Sequence, residues 1–249
     1  MPDRDGGDAV IVRHFPANAA GRDFVVGDLH GHLALFRQLL REAGFDPATD
    51  RMFSVGDLID RGPDSPGCLA LLDTPWFFAV QGNHEDLMAN ALAGESSSFA
   101  CWQGNGGDWA AAHPEIAGTY VEKVKALPLV IAVGEGPRRF NVLHAETFMT
   151  DAELDAGRYS FSNIQRLLWG RSLIQGSGSE HGLQVTAAGT AQPGLSATYV
   201  GHSVVLEVKR IGSHVFIDTG AFLPMGRLTM IEPASGRVWT ASHFEALAA

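Results

Sequence analysis

The stretch FVVGDLHG, residues 24–31, runs from an apolar segment directly into a glycine, a carboxylate and an imidazole. Two later stretches repeat this design, MFSVGDLIDRG over residues 52–62 and WFFAVQGNHE over residues 76–85. Each apolar run is short, rich in β-branched or aromatic residues and closely followed by glycine, which predicts a buried parallel strand. The polar motifs therefore lie where three strands end.

Helix-like stretches separate or follow these strands, at 33–43, 68–72 and 85–93. The resulting βαβαβα order predicts a parallel sheet, and ligands bind at the carboxyl ends of the strands in such sheets. Glycine at each strand end lets the backbone turn sharply and lets a bound group approach closely. Side chains from all three motifs can therefore converge on one site.

The motif residues are of types that bind divalent metals. Asp28 and His30 stand two apart, so a strand end can offer both to one ion, and the carboxylate of Asp57 has lone pairs enough to bridge two ions. A neutral amide oxygen and two later imidazoles, each after a further apolar run, supply the remaining ligands. The candidate metal ligands are Asp28, His30, Asp57, Asn83, His144 and His202.

Each motif also has a structural interpretation. The first motif alone fits a strand-to-helix turn with an aspartate near a helix N-terminus, and a histidine after a strand is often a hydrogen-bonded structural residue. Three motifs in order, followed by suitable histidines, favour the metal site. Glu85 and Asn105 are expected to support local turns, and His32 is expected to be exposed at the start of its helix.

Further motifs lie beyond the strand ends and carry a resemblance through most of the chain. They are Trp102 to Trp109 with Asn105-Gly106-Gly107, Leu127-Pro128-Leu129, His144-Ala145, Trp169-Gly170-Arg171, Gly201-His202-Ser203 and Ile217-Asp218-Thr219-Gly220-Ala221. Together with the first three motifs, they resemble the calcineurin-like metallophosphoesterases of the protein serine/threonine phosphatase type, the bacteriophage lambda type in particular. Residues 172–196 match no motif of that family.

The resemblance implies an α/β fold, a four-layer αββα sandwich in which two mixed sheets are flanked by helices. It also implies a centre of two divalent metal ions that share one carboxylate. In that centre, Asp28, His30 and Asp57 bind the first ion, and Asp57, Asn83, His144 and His202 bind the second. The mixed carboxylate, amide and imidazole ligands suit manganese, iron or zinc, and the resemblance favours two Mn²⁺ ions.

Catalytic roles follow from the same resemblance. His84 would be the general acid, oriented by Asp60, while Arg61 and Arg171 would hold the phosphoryl oxygens, a task that suits the planar guanidinium fork. The reaction implied is in-line attack on a phosphate ester by a metal-bound hydroxide. Two alternatives stay open, namely Asp60 as the cap of a turn and Arg171 as the partner in a surface salt bridge.

The function that the resemblance implies is hydrolysis of phosphomonoesters. The expected substrates are phosphoserine or phosphothreonine in proteins and peptides, with phosphotyrosine or small aryl phosphates as further candidates. A symmetrical dinucleoside tetraphosphate hydrolase shares the core motifs and is the main alternative. A non-catalytic binding module that retains the fold is the third.

Composition predicts a single acidic domain over residues 1–249. The chain is 45% hydrophobic with a formal net charge of −10, which disfavours nucleic acid and membrane surfaces as partners. No apolar run reaches the about 18 residues of a transmembrane helix, the first residues do not resemble a signal peptide, and two cysteines do not suggest a disulfide scaffold. We expect a monomer in the cytoplasm.

Residues 172–196 are rich in Gly, Ser, Thr and Ala and lie between Arg171 and His202. A long, weakly patterned segment flanked by site residues predicts a substrate flap, and the alternative is a disordered surface insertion. The second half otherwise alternates strand and helix patterns. Strands are predicted at 129–133, 140–143, 198–200, 204–208, 215–217, 228–231 and 237–240, and helices at 109–112, 116–126 and 162–168.

Overall fold

Short strands and helices alternate through residues 11–176 and 191–243, the part of the chain that the computed structural model describes. The strands are β1 (Val12–Phe15), β2 (Asp23–Val26), β3 (Arg51–Ser54), β4 (Phe77–Ala79), β5 (Val130–Val133), β6 (Phe140–Leu143), β7 (Ala197–Val200), β8 (Lys209–Ile211), β9 (His214–Phe216), β10 (Arg227–Glu232) and β11 (Arg237–Ser242). The helices are α1 (Leu33–Glu42), α2 (Ser65–Leu69), α3 (Asn83–Leu92), α4 (Ser96–Gly104), α5 (Trp109–Ala112), α6 (Pro114–Lys125), α7 (Asp151–Asp155) and α8 (Phe161–Trp169). Two 3₁₀ helices cover Ala70–Asp73 and Gly136–Arg138.

The first sheet contains the three motif-bearing strands side by side. Its order is β11-β10-β2-β3-β4, in which β2, β3 and β4 run parallel. The hairpin of β10 and β11 is antiparallel and extends the sheet beyond β2. The ends of β2, β3 and β4 therefore meet at one edge of the sheet, as the sequence predicts.

The second sheet is also mixed, with the order β1-β5-β6-β7-β9-β8. Strands β6, β7 and β9 are parallel neighbours, whereas β5 is antiparallel to β6 and β8 is antiparallel to β9. The loops that carry the two later imidazoles leave the ends of β6 and β7. Both sheets therefore contribute strand ends with candidate ligands.

Alternating side chains on the strands divide the core into three layers. On β2, Phe24 and Val26 pack in a cluster with residues of α1, while Val25 belongs to a second cluster that includes Val142 of the second sheet. A third cluster joins the outer face of the second sheet to Leu154 of α7 and to α8. Strands buried on both faces explain the uninterrupted apolar runs, and the predicted arrangement of two mixed sheets flanked by helices is confirmed.

Most predicted elements shift by only a few residues, but some predictions were wrong. Residues 204–208 form no strand, and the side chain of Leu206 is 96% exposed. Four of the strands and α-helices had no counterpart in the sequence prediction, namely β1, β8, α4 and α7. The prediction missed β1 because it carries polar Arg13 and His14, and α4 because it begins with three serines. Within the described ranges, no helix is long and apolar enough to cross a membrane.

Candidate active site

The strand ends hold residues in a backbone conformation that is unusual for side chains other than glycine. In the described ranges, every non-glycine residue with a positive φ belongs to the predicted site. These residues are His30 (φ 41°), Asp57 (φ 50°), Asp60 (φ 74°), Arg61 (φ 69°) and His202 (φ 61°). Such angles cost about 1–3 kcal/mol each and persist only where the surrounding structure enforces them, so the fold holds these side chains in a set arrangement.

Two glycines allow the strand-end loops to pack directly on carboxylates. A Cβ atom added to Gly82 would lie 2.2 Å from Oδ1 of Asp57, and one added to Gly201 would lie 1.8 Å from Oδ1 of Asp28. Any side chain at either position would displace a carboxylate. The glycines therefore bring the loops of the two sheets together around the acidic groups.

One group of candidate ligands surrounds Asn83. The Oδ1 atom of Asn83 lies 2.8 Å from Nε2 of His144 and 2.9 Å from Nδ1 of His202, and these two nitrogens are 3.2 Å apart. Oδ1 of Asp57 is 3.4 Å from the same Nε2 of His144. Four ligand-type atoms from both sheets thus lie within the range of ligand separations around a single metal ion.

The tautomer of His144 favours a cation at this point. Its Nδ1–H donates to the carbonyl of Val55 at 2.8 Å, and burial lowers the pKa of the imidazole, so Nε2 carries a lone pair. That lone pair faces the amide oxygen of Asn83. A metal-ligating histidine typically donates its other ring N–H in this way, which fixes the ring orientation.

The second group centres on the other oxygen of Asp57. Nε2 of His30 lies 3.6 Å and Nε2 of His84 lies 3.8 Å from Oδ2 of Asp57. His30 donates its Nδ1–H to the carbonyl of Ile59 at 2.9 Å, so this ring also turns its Nε2 inward. Asp57 belongs to both groups of candidate ligands, as the sequence predicts for a bridging carboxylate.

Asp28 lies between the two sheets rather than inside either close group of ligand atoms. Its carboxylate accepts the backbone N–H of His202 at 3.0 Å and is only 2% exposed. Burial, followed by the negative charges of Asp218 and Asp57, raises the pKa of Asp28 well above its usual range. Three buried carboxylates in one region require a positive counter-charge if they are to remain ionised.

His84 and Asp60 form a buried pair next to these groups. Nδ1 of His84 lies 2.6 Å from Oδ2 of Asp60, and Nε2 of His84 has no hydrogen-bond partner among the described residues. Burial lowers the pKa of His84, but Asp57 and Asp60 outweigh this effect and raise it overall. A raised pKa and an unpartnered Nε2 are properties that suit a proton donor, and the side chain of Asp60 is engaged by His84 rather than by a turn.

The two predicted arginines contact different parts of the site. Nη1 of Arg61 lies 2.8 Å from Nε2 of His30, and its guanidinium packs over the ring of Phe222 at 4.3 Å. Arg171 donates to the backbone carbonyl of His202 at 2.8 Å and to the hydroxyl of Ser203 at 3.3 Å. No carboxylate is paired with Arg171 in the described ranges, which does not fit the alternative of a surface salt bridge.

Comparison with known proteins assigns this arrangement to a family. The calcineurin-like phosphoesterase family matches residues 24–205. A serine/threonine-protein phosphatase 1 of Salmonella typhimurium is 35% identical over 219 residues, which cover 83% of this chain and 89% of the relative. The chain belongs to the calcineurin-like phosphoesterase family. The predicted resemblance is thereby confirmed, and this calcineurin-like phosphoesterase is a metal-dependent phosphatase.

Two further proteins resemble the phosphoesterase, one in sequence and one in structure. A symmetrical bis(5'-nucleosyl)-tetraphosphatase of Aromatoleum aromaticum is 41% identical, but over only 76 residues, which are 29% of this chain and 28% of the relative. A protein serine/threonine phosphatase from Saccharomyces cerevisiae superposes with a TM-score of 0.58 at 17% identity, over 94% of this chain and 84% of that one. The latter likeness supports the fold.

Three predictions about neighbouring residues have different outcomes in the phosphoesterase. The carboxylate of Glu85 accepts the backbone N–H groups of Asp57, Leu58 and Gly82 at 2.8–2.9 Å, so it supports two motif loops rather than one. Asn105 lies at the end of α4 in an exposed turn, as expected. His32 was predicted to be exposed, which is wrong, because it is buried against the ring of His243.

The predicted flap lies largely outside the described residues of the phosphoesterase. Residues 177–190 are not described, so the flap hypothesis for 172–196 stays a prediction. Its two described ends are held by contacts to the rest of the fold. Leu173 is buried in the cluster on the outer face of the second sheet, and Ser196 donates to Asp151 at the start of α7.

The sequence assigned no role to two tryptophans that hold Asp60. The indole Nε1–H of Trp102 donates to Asp60 at 3.0 Å and that of Trp109 at 2.7 Å, while the same carboxylate contacts His84. These contacts join positions 42 and 49 residues apart. Two indole donors fix the carboxylate while its remaining lone pairs accept from the imidazole.

Replacing Trp109 with phenylalanine is expected to lower both stability and turnover. The change removes one donor from a buried, ionisable carboxylate, which costs about 1.5–3 kcal/mol. For a chain of this size, each kcal/mol lowers the melting temperature by about 2–4 °C. Thermal unfolding and kcat would be measured together, because a less firmly held Asp60 orients His84 less well.

A matched control is Trp76→Phe, since the ring of Trp76 packs on Phe36 and Phe45 without reaching the site. This control is expected to change stability through packing while leaving kcat unaltered. A Trp109→Phe protein with wild-type melting temperature and wild-type kcat would contradict the proposed support of Asp60.

Proposed function

We propose that this calcineurin-like phosphoesterase removes phosphate from phosphoserine and phosphothreonine in proteins, with small phosphoesters as additional substrates. The observation that carries the proposal is the free Nε2 of His84, held by Asp60 beside two groups of buried ligand atoms that share Asp57. That arrangement is suited to protonating the oxygen that leaves a phosphate ester. The similarity to a serine/threonine-protein phosphatase over 83% of the chain supports the choice of substrate.

The donor set fits two divalent cations. The first would be held by Asp28, His30 and Asp57, and the second by Asp57, Asn83, His144 and His202. Carboxylate, amide and imidazole ligands without a thiolate suit manganese, iron or zinc, and we propose Mn²⁺ for both positions. When bound, such ions supply Lewis-acid polarisation of the phosphoryl group and lower the pKa of a water molecule that attacks it.

His84 acts on the leaving group. Its Nδ1–H donates to Asp60, so the proton available for transfer resides on Nε2, which faces the centre of the site. Transfer of that proton to the departing serine or threonine oxygen avoids release of a strongly basic alkoxide. Asp60 stays in place to stabilise the charged imidazolium before transfer, because two indole donors already hold it.

Arg61 and Arg171 bind the phosphoryl oxygens. A guanidinium presents several N–H donors in a plane, which matches two oxygens of a phosphate at once. Arg61 approaches from the first sheet, beside His30, and Arg171 approaches from the loop after α8, beside His202. The two arginines thereby bind the substrate phosphate from two sides and orient it for in-line attack.

A dinucleoside tetraphosphate is the second candidate substrate. Its support is the 41% identity to a symmetrical bis(5'-nucleosyl)-tetraphosphatase, which extends over only 29% of the chain. The phosphoprotein substrate is favoured because its supporting similarity extends over most of the chain. A single catalytic domain over residues 1–249, a monomeric state and a cytoplasmic location complete the proposal.

The decisive experiment compares both substrates on the same protein. Metal-stripped phosphoesterase is expected to be inactive and to regain activity with Mn²⁺, and it should then prefer a phosphothreonine peptide over diadenosine tetraphosphate. A preference of at least about tenfold in kcat/KM corresponds to about 1.4 kcal/mol in transition-state stabilisation. Phosphate release and nucleotide products would be measured side by side.

The opposite preference would transfer the assignment to nucleotide hydrolysis. Turnover of neither substrate, with metal bound in full, would support the non-catalytic binding module. Samples loaded separately with zinc, iron or manganese would be compared in the same assay.

A further inference from the structure

Glu146 is a buried carboxylate close to the site that has no role in the proposed reaction. It follows His144 by two residues and is only 1% exposed. A buried charged side chain is costly unless its oxygens are fully hydrogen-bonded, so its partners indicate what it holds. Those partners come from the segment that contains Arg171.

The oxygens of Glu146 receive hydrogen bonds from residues on both sides of Arg171. Oε1 accepts from Nη1 of Arg166 at 2.9 Å and from both the backbone N–H and the hydroxyl of Ser172, at 3.1 and 2.5 Å. Oε2 accepts the backbone N–H of Leu173 at 2.8 Å. The end of α8 and the turn that follows it are thereby fixed to one side chain in the loop after β6.

The chain before Arg171 is fitted to the same side chain. A Cβ atom added to Gly170 would lie 2.4 Å from Cγ of Glu146 and 2.7 Å from the carbonyl oxygen of Arg166. Only glycine leaves room for the Glu146 side chain to cross at this point. Residues 170–173 therefore wrap closely around the Glu146 carboxylate.

The side chain of Arg171 contacts the loop that carries His202. It donates to the backbone carbonyl of His202 and to Ser203, and its positive charge, after burial and the neighbouring His144, contributes to lowering the pKa of His202. The main chain around Arg171 is held on one side by Glu146, and its guanidinium is held on the other by the His202 loop. The arginine is thus placed before substrate arrives.

We propose that Glu146 is a positioning residue that sets the location of Arg171 for binding the phosphoryl group. This inference rests on the proposed role of Arg171 in the phosphatase reaction. A guanidinium held at its binding position loses less conformational freedom when it forms hydrogen bonds to phosphate. Loosening residues 170–173 should therefore weaken phosphate binding without touching the candidate ligands or His84.

The test is a double-mutant cycle between Glu146→Gln and Arg171→Ala. Glutamine keeps the size of the side chain, but its NH₂ group turns donors toward the N–H groups that Glu146 accepts. Glu146→Gln is expected to raise both KM for the phosphothreonine peptide and the inhibition constant for inorganic phosphate by about 10–100-fold. Losses of this size are typical when a residue that orients a ligand-binding side chain is replaced. In the Arg171→Ala background it should change either value by less than about twofold.

The controls separate positioning from general destabilisation. Glu153→Gln removes comparable hydrogen bonds to a backbone N–H and a hydroxyl, both of Thr150, far from Arg171 in sequence, and should leave KM unaltered. Thermal unfolding and metal content of every variant would be recorded. Glu146→Asp is the second variant if the glutamine protein does not fold, because a shortened carboxylate keeps the charge but cannot hold all four donors.

Two results would overturn the assignment of Glu146. Equal losses from Glu146→Gln in the wild-type and Arg171→Ala backgrounds would mean that it acts independently of Arg171, and an unaltered KM in folded Glu146→Gln would mean that it acts on stability alone. Wild-type KM in Arg171→Ala would overturn the phosphate-binding role of Arg171 and, with it, this inference. Absence of turnover in the wild-type protein on every phosphoester tested would instead reject the proposed function.

Discussion

Replacement of Asp57 with asparagine is expected to abolish turnover and to reduce metal binding at both candidate positions. Asp57 is the one carboxylate that belongs to both groups of ligand atoms, through Oδ1 near His144 and Oδ2 near His30. Asparagine keeps the size of the side chain and tolerates the positive φ of 50° at this position, so the loop should retain its shape. The change removes one negative charge and one of two ligand oxygens.

The expected loss exceeds the 10–100-fold effect of residues that only support a ligand, so kcat/KM should fall by more than about 100-fold. Metal content after dialysis, by elemental analysis, should fall below two ions per chain. Asp23→Asn, at the start of β2 and paired with Arg51, is the matched control and should retain metal and activity. If Asp57→Asn retains two firmly bound ions and full turnover, Asp57 is not a ligand shared by the two metal ions.

Replacement of His84 with asparagine is expected to lower kcat by about 10²–10⁴-fold for a phosphothreonine peptide, with little change in KM. The magnitude is that of a general acid, because a threonine alkoxide leaves poorly without a proton. The loss should be much smaller for p-nitrophenyl phosphate, whose leaving group is stable as an anion. Comparing the two substrates therefore measures proton donation by Nε2 directly.

The same histidine variant should bind its full complement of metal if His84 is the acid and not a ligand. His84 lies within the group formed with His30 and Asp57, so the metal content of the His84→Asn protein decides between the two roles. His14→Asn is the control, since His14 is exposed and contacts Asp155 away from the site. An equal loss on both substrates, accompanied by loss of metal, would assign His84 to metal binding instead.

Local patterns in the sequence were sufficient to place the three motif-bearing strands and to predict that they run parallel. Glycine after an apolar run marks the end of β2 and of β3, and alternate residues such as Val25 and Val26 face opposite layers of the core. Each of the ten predicted site residues also contacts another member of the set. Convergence was predictable because parallel strands end at the same edge of a sheet.

Contacts between distant segments were not predictable in this way. Trp109 reaches Asp60 across 49 residues, and Glu146 reaches Ser172 across 26 residues, with no local spacing to indicate either contact. Residues 204–208 are apolar and β-branched enough to predict a strand, yet β8 begins only at Lys209 and pairs with β9 at the edge of the sheet. Pairing at an edge depends on tertiary partners as much as on local preference.

The apolar cluster between the two sheets, which contains Val25 and Val142, also links completion of the candidate site to folding. Asp57 and Asn83 follow strands of the first sheet, whereas His144 and His202 follow strands of the second. Val25 and Val142 belong to the cluster between the sheets. Neither sheet alone can complete the second group of ligands, so a cation that binds it favours the docked state by mass action. We therefore expect a nascent or partly unfolded chain to lack hydrolytic activity, so that activity indicates that the two sheets have docked.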